Sequence, residues 1–123
     1  MDERSLIAVV DDDESVRESL PDLLREFGFV ARAFASAEDF LLSGCAGEAQ
    51  CLILDIAMPG MSGQDLLHEL RRRRQFVPVV FITAHGAEAL RPRMLEQGAV
   101  ECLFKPFSDT ALLGAIQAAL RFK

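Results

Sequence analysis

Five short apolar runs, each followed by polar residues and an amphipathic stretch, constrain this chain more than any other feature. The runs are Leu6 to Val10, Phe29 to Ala35, Cys51 to Leu54, Val77 to Thr83 and Val100 to Phe104. They are short, rich in branched residues and bounded by turn formers, which is the pattern of buried strands. Pro78 places the core of the fourth run from Val79 onward. The intervening stretches carry helical spacing. From Glu14 to Phe27, residues Val16, Leu20, Leu23, Leu24 and Phe27 fall on one face. Asp13 suits its cap and Gly28 its stop. Pro21 removes an internal hydrogen bond at a cost of about 3 kcal/mol in a regular helix, which predicts a kink.

Ser36-Ala37-Glu38-Asp39 resembles a capping box and opens a short helix to about Leu42. Ser43 to Gln50 reads as a loop. Ser62-Gly63-Gln64-Asp65 marks another helix start, with Leu66, Leu67 and Leu70 on its apolar face. A fourth helix is predicted over Ala87 to Gln97, ended by Gly98, and a fifth over Ser108 to Arg121. Strand and helix alternate five times. That order predicts an α/β fold: a doubly wound, five-stranded parallel sheet with helices on both faces. The nearly continuous apolar strands agree, since such strands are covered on both sides. Residues 1–123 contain no linker, repeat or low-complexity tract, and their number suits one domain with a core of its own.

The net charge of −6 argues against direct nucleic-acid binding, which needs clustered Lys and Arg. The basic run Arg71 to Arg74 ends an amphipathic stretch, where cations suit the helix dipole. No apolar run approaches the roughly 20 residues of a membrane span, and the N-terminal residues lack a signal-peptide pattern. Cys45, Cys51 and Cys102 are odd in number and widely spaced, against a disulfide framework or a structural zinc site. A reducing, cytoplasmic location fits.

In an open parallel sheet, ligands bind beyond the carboxyl ends of the strands. After the first strand come Asp11, Asp12 and Asp13; after the third, Asp55. The fourth ends in Thr83, and Lys105-Pro106 follows the fifth. Carboxylates from two strand ends can share a hard divalent cation such as Mg²⁺. The cation relieves their mutual repulsion. A lysine opposite them can neutralise one carboxylate at rest and grip a phosphoryl oxygen later, and a threonine can donate to that oxygen. Such groups suit phosphoryl transfer, where catalysis is mostly positioning and electrostatics. Asp13 reads better as a helix cap than as a member of this set.

Residues 9–14 (VVDDDE), 54–63 (LDIAMPGMSG), 82–86 (ITAHG) and 105–107 (KPF) resemble the receiver domains of bacterial two-component response regulators, most closely the FixJ type. The resemblance runs along essentially the whole chain and implies a flavodoxin-like (βα)5 fold. It implies that Asp55 accepts a phosphoryl group from the phosphohistidine of a sensor histidine kinase or phosphotransfer protein. Asp12 matches the direct Mg²⁺ ligand, Asp11 its acidic neighbour, and Ala57 a backbone carbonyl ligand. Thr83 matches the switch hydroxyl and Lys105 the phosphate-contacting lysine, with a cis Lys105–Pro106 peptide. Ala84 would leave the phosphoryl group accessible. The output face would be the fourth helix, fifth strand and fifth helix, with Leu90, Met94 and Leu95 partly core and partly contact surface. The domain would be a phosphoacceptor switch and not a turnover enzyme on an external substrate. A DNA-binding output domain outside these residues fits the FixJ type. So do a monomer and a phosphorylation-dependent dimer.

One position departs from the family. Three residues before the lysine, where the family usually has Tyr or Phe, stands Cys102. Phe104 lies on the same strand face, one pair further on. His85, two residues past Thr83, reads either as an exposed loop residue or as a tuner of dephosphorylation. His68 reads as a surface residue. A haloacid-dehalogenase-like phosphatase needs an acid two residues after its nucleophile, where Ala57 stands. The glycine signatures of nucleotide-binding loops are absent. An interaction module that has lost phosphorylation is opposed by the intact Asp11, Asp12, Asp55, Thr83 and Lys105.

Overall fold

The computed structural model describes residues 4–84 and 88–121. Its strands are β1 (Leu6–Val10), β2 (Val30–Phe34), β3 (Cys51–Asp55), β4 (Val79–Thr83) and β5 (Glu101–Phe104). Its helices are α1 (Glu14–Glu26), α2 (Ala37–Ser43), α3 (Gly63–Arg72), α4 (Arg91–Glu96) and α5 (Asp109–Leu120). All strand pairs are parallel, in the order β2-β1-β3-β4-β5. This is the doubly wound sheet expected from the alternation.

Strand alternation splits the core into two layers. Ala8, Val10, Leu52, Leu54, Val79 and Phe81 face α2, α3 and α4, meeting Phe40, Leu66, Leu67, Leu70 and Met94. Ile7, Val9, Ile53, Val80 and Ile82 face α1 and α5, meeting Leu20, Leu24, Leu112 and Ile116. Each fully buried aliphatic side chain contributes about 1.5–3 kcal/mol, so these layers dominate the stability of the fold. Cys102 and Phe104 pack with the first layer and Leu103 with the second, so the two face the same way. The three cysteines are buried and unbridged. Among the described residues, no helix is long and apolar enough to cross a membrane.

Capping explains where the elements begin and end. Asp13 caps α1 by accepting from the Ser15 amide, and Ser36 and Ser108 accept from the Asp39 and Ala111 amides. At α3 the capping box of Ser62 and Asp65 is complete in both directions. At the end of α1 the Gly28 amide donates to Arg25 O and the Phe29 amide to Leu24 O, with Gly28 at φ +94°. This closure uses the Phe29 amide, so β2 starts at Val30 and not at Phe29. Pro21 is buried within α1 and does not end it.

The fourth helix is shorter than the sequence predicts. A 3₁₀ turn covers Glu88–Leu90 and the α-helix begins only at Arg91. Pro92 has no amide to donate and disfavours helical geometry at the residue before it, which places it in a first turn. The predicted start at Ala87 lies outside the described residues, as does His85.

Candidate functional site: an acidic cluster at the carboxyl edge of the sheet

The connections leave β1 and β3 in opposite directions, α1 covering one face of the sheet and α3 the other. A crevice opens between their carboxyl ends at such a reversal. Asp11 follows β1 directly and Asp55 is the last residue of β3. One carboxylate oxygen from each of Asp11, Asp12 and Asp55 can be chosen so that all lie within 4.8 Å of one another. Asp11 is fully buried and Asp55 is 7 % exposed, while Asp12 is exposed. The cluster therefore has a buried floor and an open rim.

Backbone contacts hold the floor. Asp11 Oδ1 accepts from the Asp13 amide at 2.9 Å, and the Asp11 amide donates to Phe34 O. Arg17 Nη1 donates to Asp11 O at 3.1 Å, tying α1 to the β1 turn. Asp55 Oδ1 accepts from the Ala57 amide at 3.4 Å. Lys105 Nζ pairs with Asp11 Oδ2 at 3.1 Å, and its backbone amide donates to Thr83 O. Thr83 is buried at the end of β4, one residue beyond the Asp55–Ile82 pair of the β3–β4 ladder. The Lys105–Pro106 peptide is cis. Asp11, Asp12, Asp55, Thr83 and Lys105 are thus assembled from four strand ends. Ala57 is exposed in the loop after β3.

Electrostatics mark Asp55 as the unusual member. Its carboxyl is pushed up from 3.8 to about 7, mainly by burial and then by the charge of Asp11, against the pull of Lys105. A carboxylate held this way has too little positive charge nearby to offset its burial and the repulsion of Asp11. Three hard oxygen donors with one positive partner among them fit a divalent cation such as Mg²⁺. Bound there, it would stabilise the ionised form of Asp55.

Two supporting contacts are not legible from residue types alone. A Cβ on Gly63 would lie 2.3 Å from Asp55 O, so the first turn of α3 packs on the backbone of Asp55 as only glycine allows. The Gly63 amide also donates to Ile56 O. Glu38 Oε2, on α2, accepts from the Met61 amide at 3.3 Å, tying a second helix to the loop between β3 and α3. The helix-start motif at Ser62 located Gly63 but not its closeness to Asp55; no local pattern pointed to Glu38.

On the neighbouring face, Met94 is fully buried, Leu90 half-buried and Leu95 37 % exposed. Arg91 and Glu101 form an ion pair of 2.7 Å between α4 and β5. His68 is exposed on α3.

Nodulation protein W of Bradyrhizobium diazoefficiens is 42% identical over 116 residues, covering 94% of this chain and 51% of that protein. The transcriptional regulatory protein FixJ of Azorhizobium caulinodans is 39% identical over 120 residues, covering 98% of this chain and 57% of that protein. The chain thus spans little more than half the length of these relatives. The crystal structure of FixJ-N superposes with a TM-score of 0.88 at 35% identity, covering 98% of this chain and 97% of that one. Residues 7–117 match the response regulator receiver domain. With the 2-1-3-4-5 sheet and the acidic cluster at its switch point, this match establishes that the chain belongs to the receiver domain family of response regulators.

Proposed function

We propose that this domain is a phosphorylation-driven signalling switch whose phosphoacceptor is Asp55. The supporting observation is the convergence of Asp11, Asp12 and Asp55 beneath Lys105, in a crevice that buries Asp55 but leaves its rim open. The Asp55 carboxylate attacks the phosphorus of a kinase phosphohistidine. The new O–P bond forms as the P–N bond breaks, and the imidazole nitrogen leaves with the electron pair. Asp11, Asp12, Asp55 and the carbonyl of Ala57 would hold Mg²⁺, which supplies charge neutralisation for the cluster and the incoming phosphoryl oxygens. Lys105 gives up part of its pairing with Asp11 to contact a phosphoryl oxygen, and the Thr83 hydroxyl donates to another. These contacts exist only in the phosphorylated state, so they shift the population toward the active form.

A sensor histidine kinase or phosphotransfer protein is the donor, and an output domain of the DNA-binding kind or a separate partner receives the signal in the cytoplasm. The α4-β5-α5 face transmits it. Intact-protein mass after incubation with acetyl phosphate tests the chemistry. A Mg²⁺-dependent gain of one phosphoryl group in wild type, absent in Asp55→Asn, is expected. Uptake by the variant, or uptake indifferent to Mg²⁺, would refute the assignment.

A further inference from the structure

The loop from Ile56 to Ser62 carries Ala57 and leads from Asp55 into α3. Its two ends are well held. At one, the Ala57 amide bonds Asp55 Oδ1; at the other, the Gly63 amide bonds Ile56 O and the Ser62–Asp65 capping box closes. Between them, Pro59, Gly60 and Met61 cross the surface with Gly60 at φ +74°. The Glu38 carboxylate reaches this middle segment from α2, which is 23 residues away in sequence. Its Oε2 accepts from the Met61 amide at 3.3 Å and lies 3.0 Å from where a Cβ on Gly60 would sit. Glu38 lies in the first turn of α2, whose Ser36 cap and buried Phe40 fix it on the sheet. The carboxylate is thus a strut from a rigid element to the exposed stretch of the loop, beyond Ile56 and Met58, which the core and the Ile82 carbonyl hold.

We propose that Glu38 is a positioning residue for phosphoryl uptake, holding the β3–α3 loop so that the backbone at Ala57 is pre-set for the cation. The inference rests on the receiver reading of the acidic cluster. The strut acts through an acceptor oxygen on the Met61 amide and not through charge. Preorganisation of this kind lowers the entropy that binding must overcome, so its loss affects cation binding more than the rate once the site is filled.

Three proteins test this: wild type, Glu38→Ala and Glu38→Gln. Glutamine keeps an acceptor oxygen and removes the charge. The first readout is hydrogen exchange at the Met61 amide by NMR, without Mg²⁺. The second is Mg²⁺ affinity by calorimetry. The third is the Mg²⁺ dependence of acetyl phosphate uptake. For Glu38→Ala we expect faster Met61 exchange, a several-fold weaker Mg²⁺ half-saturation and a saturating rate within about twofold of wild type, a modest energy for one hydrogen bond. Glu38→Gln is expected to restore all three. Unchanged Mg²⁺ affinity in Glu38→Ala overturns the proposal. So does a Glu38→Gln variant as impaired as Glu38→Ala, since charge would then be the cause. Failure of the receiver reading looks different: wild type itself would bind no Mg²⁺ and take up no phosphoryl group.

Discussion

The ammonium of Lys105 stands 3.1 Å from Asp11 Oδ2, reaching from the end of β5 over the ends of β4 and β3 to the end of β1. Asp11 is fully buried, so its carboxylate depends on that partner. Lys105→Met removes the charge and keeps much of the length. In metal-free protein the loss is expected to be about 1–2 kcal/mol, the scale of leaving a buried charged acceptor short of a donor. The side chain of Lys105 is 30% exposed, which tempers the effect. Added Mg²⁺ is expected to offset part of the loss. Urea unfolding followed by circular dichroism measures both, since the chain has no Trp or Tyr. Equal stability of variant and wild type in metal-free buffer would count against the pairing.

Asp55 gives a pH dependence with a definite sign. Its folded-state value of about 7 lies above the ordinary 3.8, mainly because of burial. The folded chain therefore holds this proton more tightly than the unfolded chain does. Its contribution to stability is complete below about pH 4 and is lost as pH rises through about 7. The thermal midpoint of metal-free wild type is expected to fall across that window, and Asp55→Asn to show a shallower fall. Saturating Mg²⁺ is expected to flatten the wild-type curve. Identical slopes for wild type and Asp55→Asn without metal would show that another group sets the dependence.

Gly63 packs tightly against the backbone of Asp55, the proposed phosphoacceptor. A methyl group there meets Asp55 O at 2.3 Å and both Asp55 C and Ile56 Cα at 3.0 Å, all backbone atoms that cannot rotate away. Gly63→Ala is expected to cost about 1–3 kcal/mol, as overpacking does, and to slow phosphoryl uptake by displacing the end of β3. Denaturation midpoints and mass-resolved uptake rates check both effects. A variant as stable and as fast as wild type would mean that α3 shifts without strain.

Much of this architecture is written locally. The strand runs, the caps at Asp13, Ser36, Ser62 and Ser108, and the stop at Gly28 depend on short-range patterns that survive without tertiary context. The acidic cluster was legible because each member sits immediately beside a strand end, and parallel topology brings those ends together. The Glu38–Met61 contact and the Gly63–Asp55 approach were not, because both depend on how helices settle on the sheet. The late start of α4 lay between these cases. Pro92 was visible in the sequence, but the apolar spacing through Leu90 and Met94 continued past it.

Arg74 follows α3 in the left-handed conformation, at φ +58°. The Arg74 amide donates to Arg71 O and the Gln75 amide to Leu70 O, the same closure that Gly28 makes after α1. A residue with a Cβ costs about 1–2 kcal/mol in this conformation, and glycine gives back part of that gain through unfolded-chain entropy. Arg74→Gly is therefore expected to stabilise the fold by about 0.5–1 kcal/mol. Phosphoryl uptake should be unchanged, because the turn lies at the opposite edge from Asp55. A destabilised variant in urea titration would show that the arginine side chain contributes more than its backbone strain costs.

Cys102 raises the question of how phosphorylation is transmitted. Its side chain is 2% exposed, shares a core layer with Phe81 and Met94, and pairs in register with Phe81. Burial first, then the charge of Glu101, pushes its thiol up to about 11, so it stays protonated and chemically quiet. It borders an open groove of about 420 Å³ that also touches Arg91, Phe104 and Phe107. Cys102→Phe is expected to keep phosphoryl uptake within about twofold of wild type, because Asp55, Thr83 and Lys105 are untouched and rates change tenfold only for about 1.4 kcal/mol. Its effect is expected on the α4-β5-α5 face, as altered self-association or partner binding when beryllofluoride mimics the phosphoryl group. Sedimentation with and without beryllofluoride reads this directly. Should Cys102→Phe match wild type in both states, coupling in this domain does not pass through an aromatic at that position, and the Arg91–Glu101 pair between α4 and β5 becomes the next contact to break.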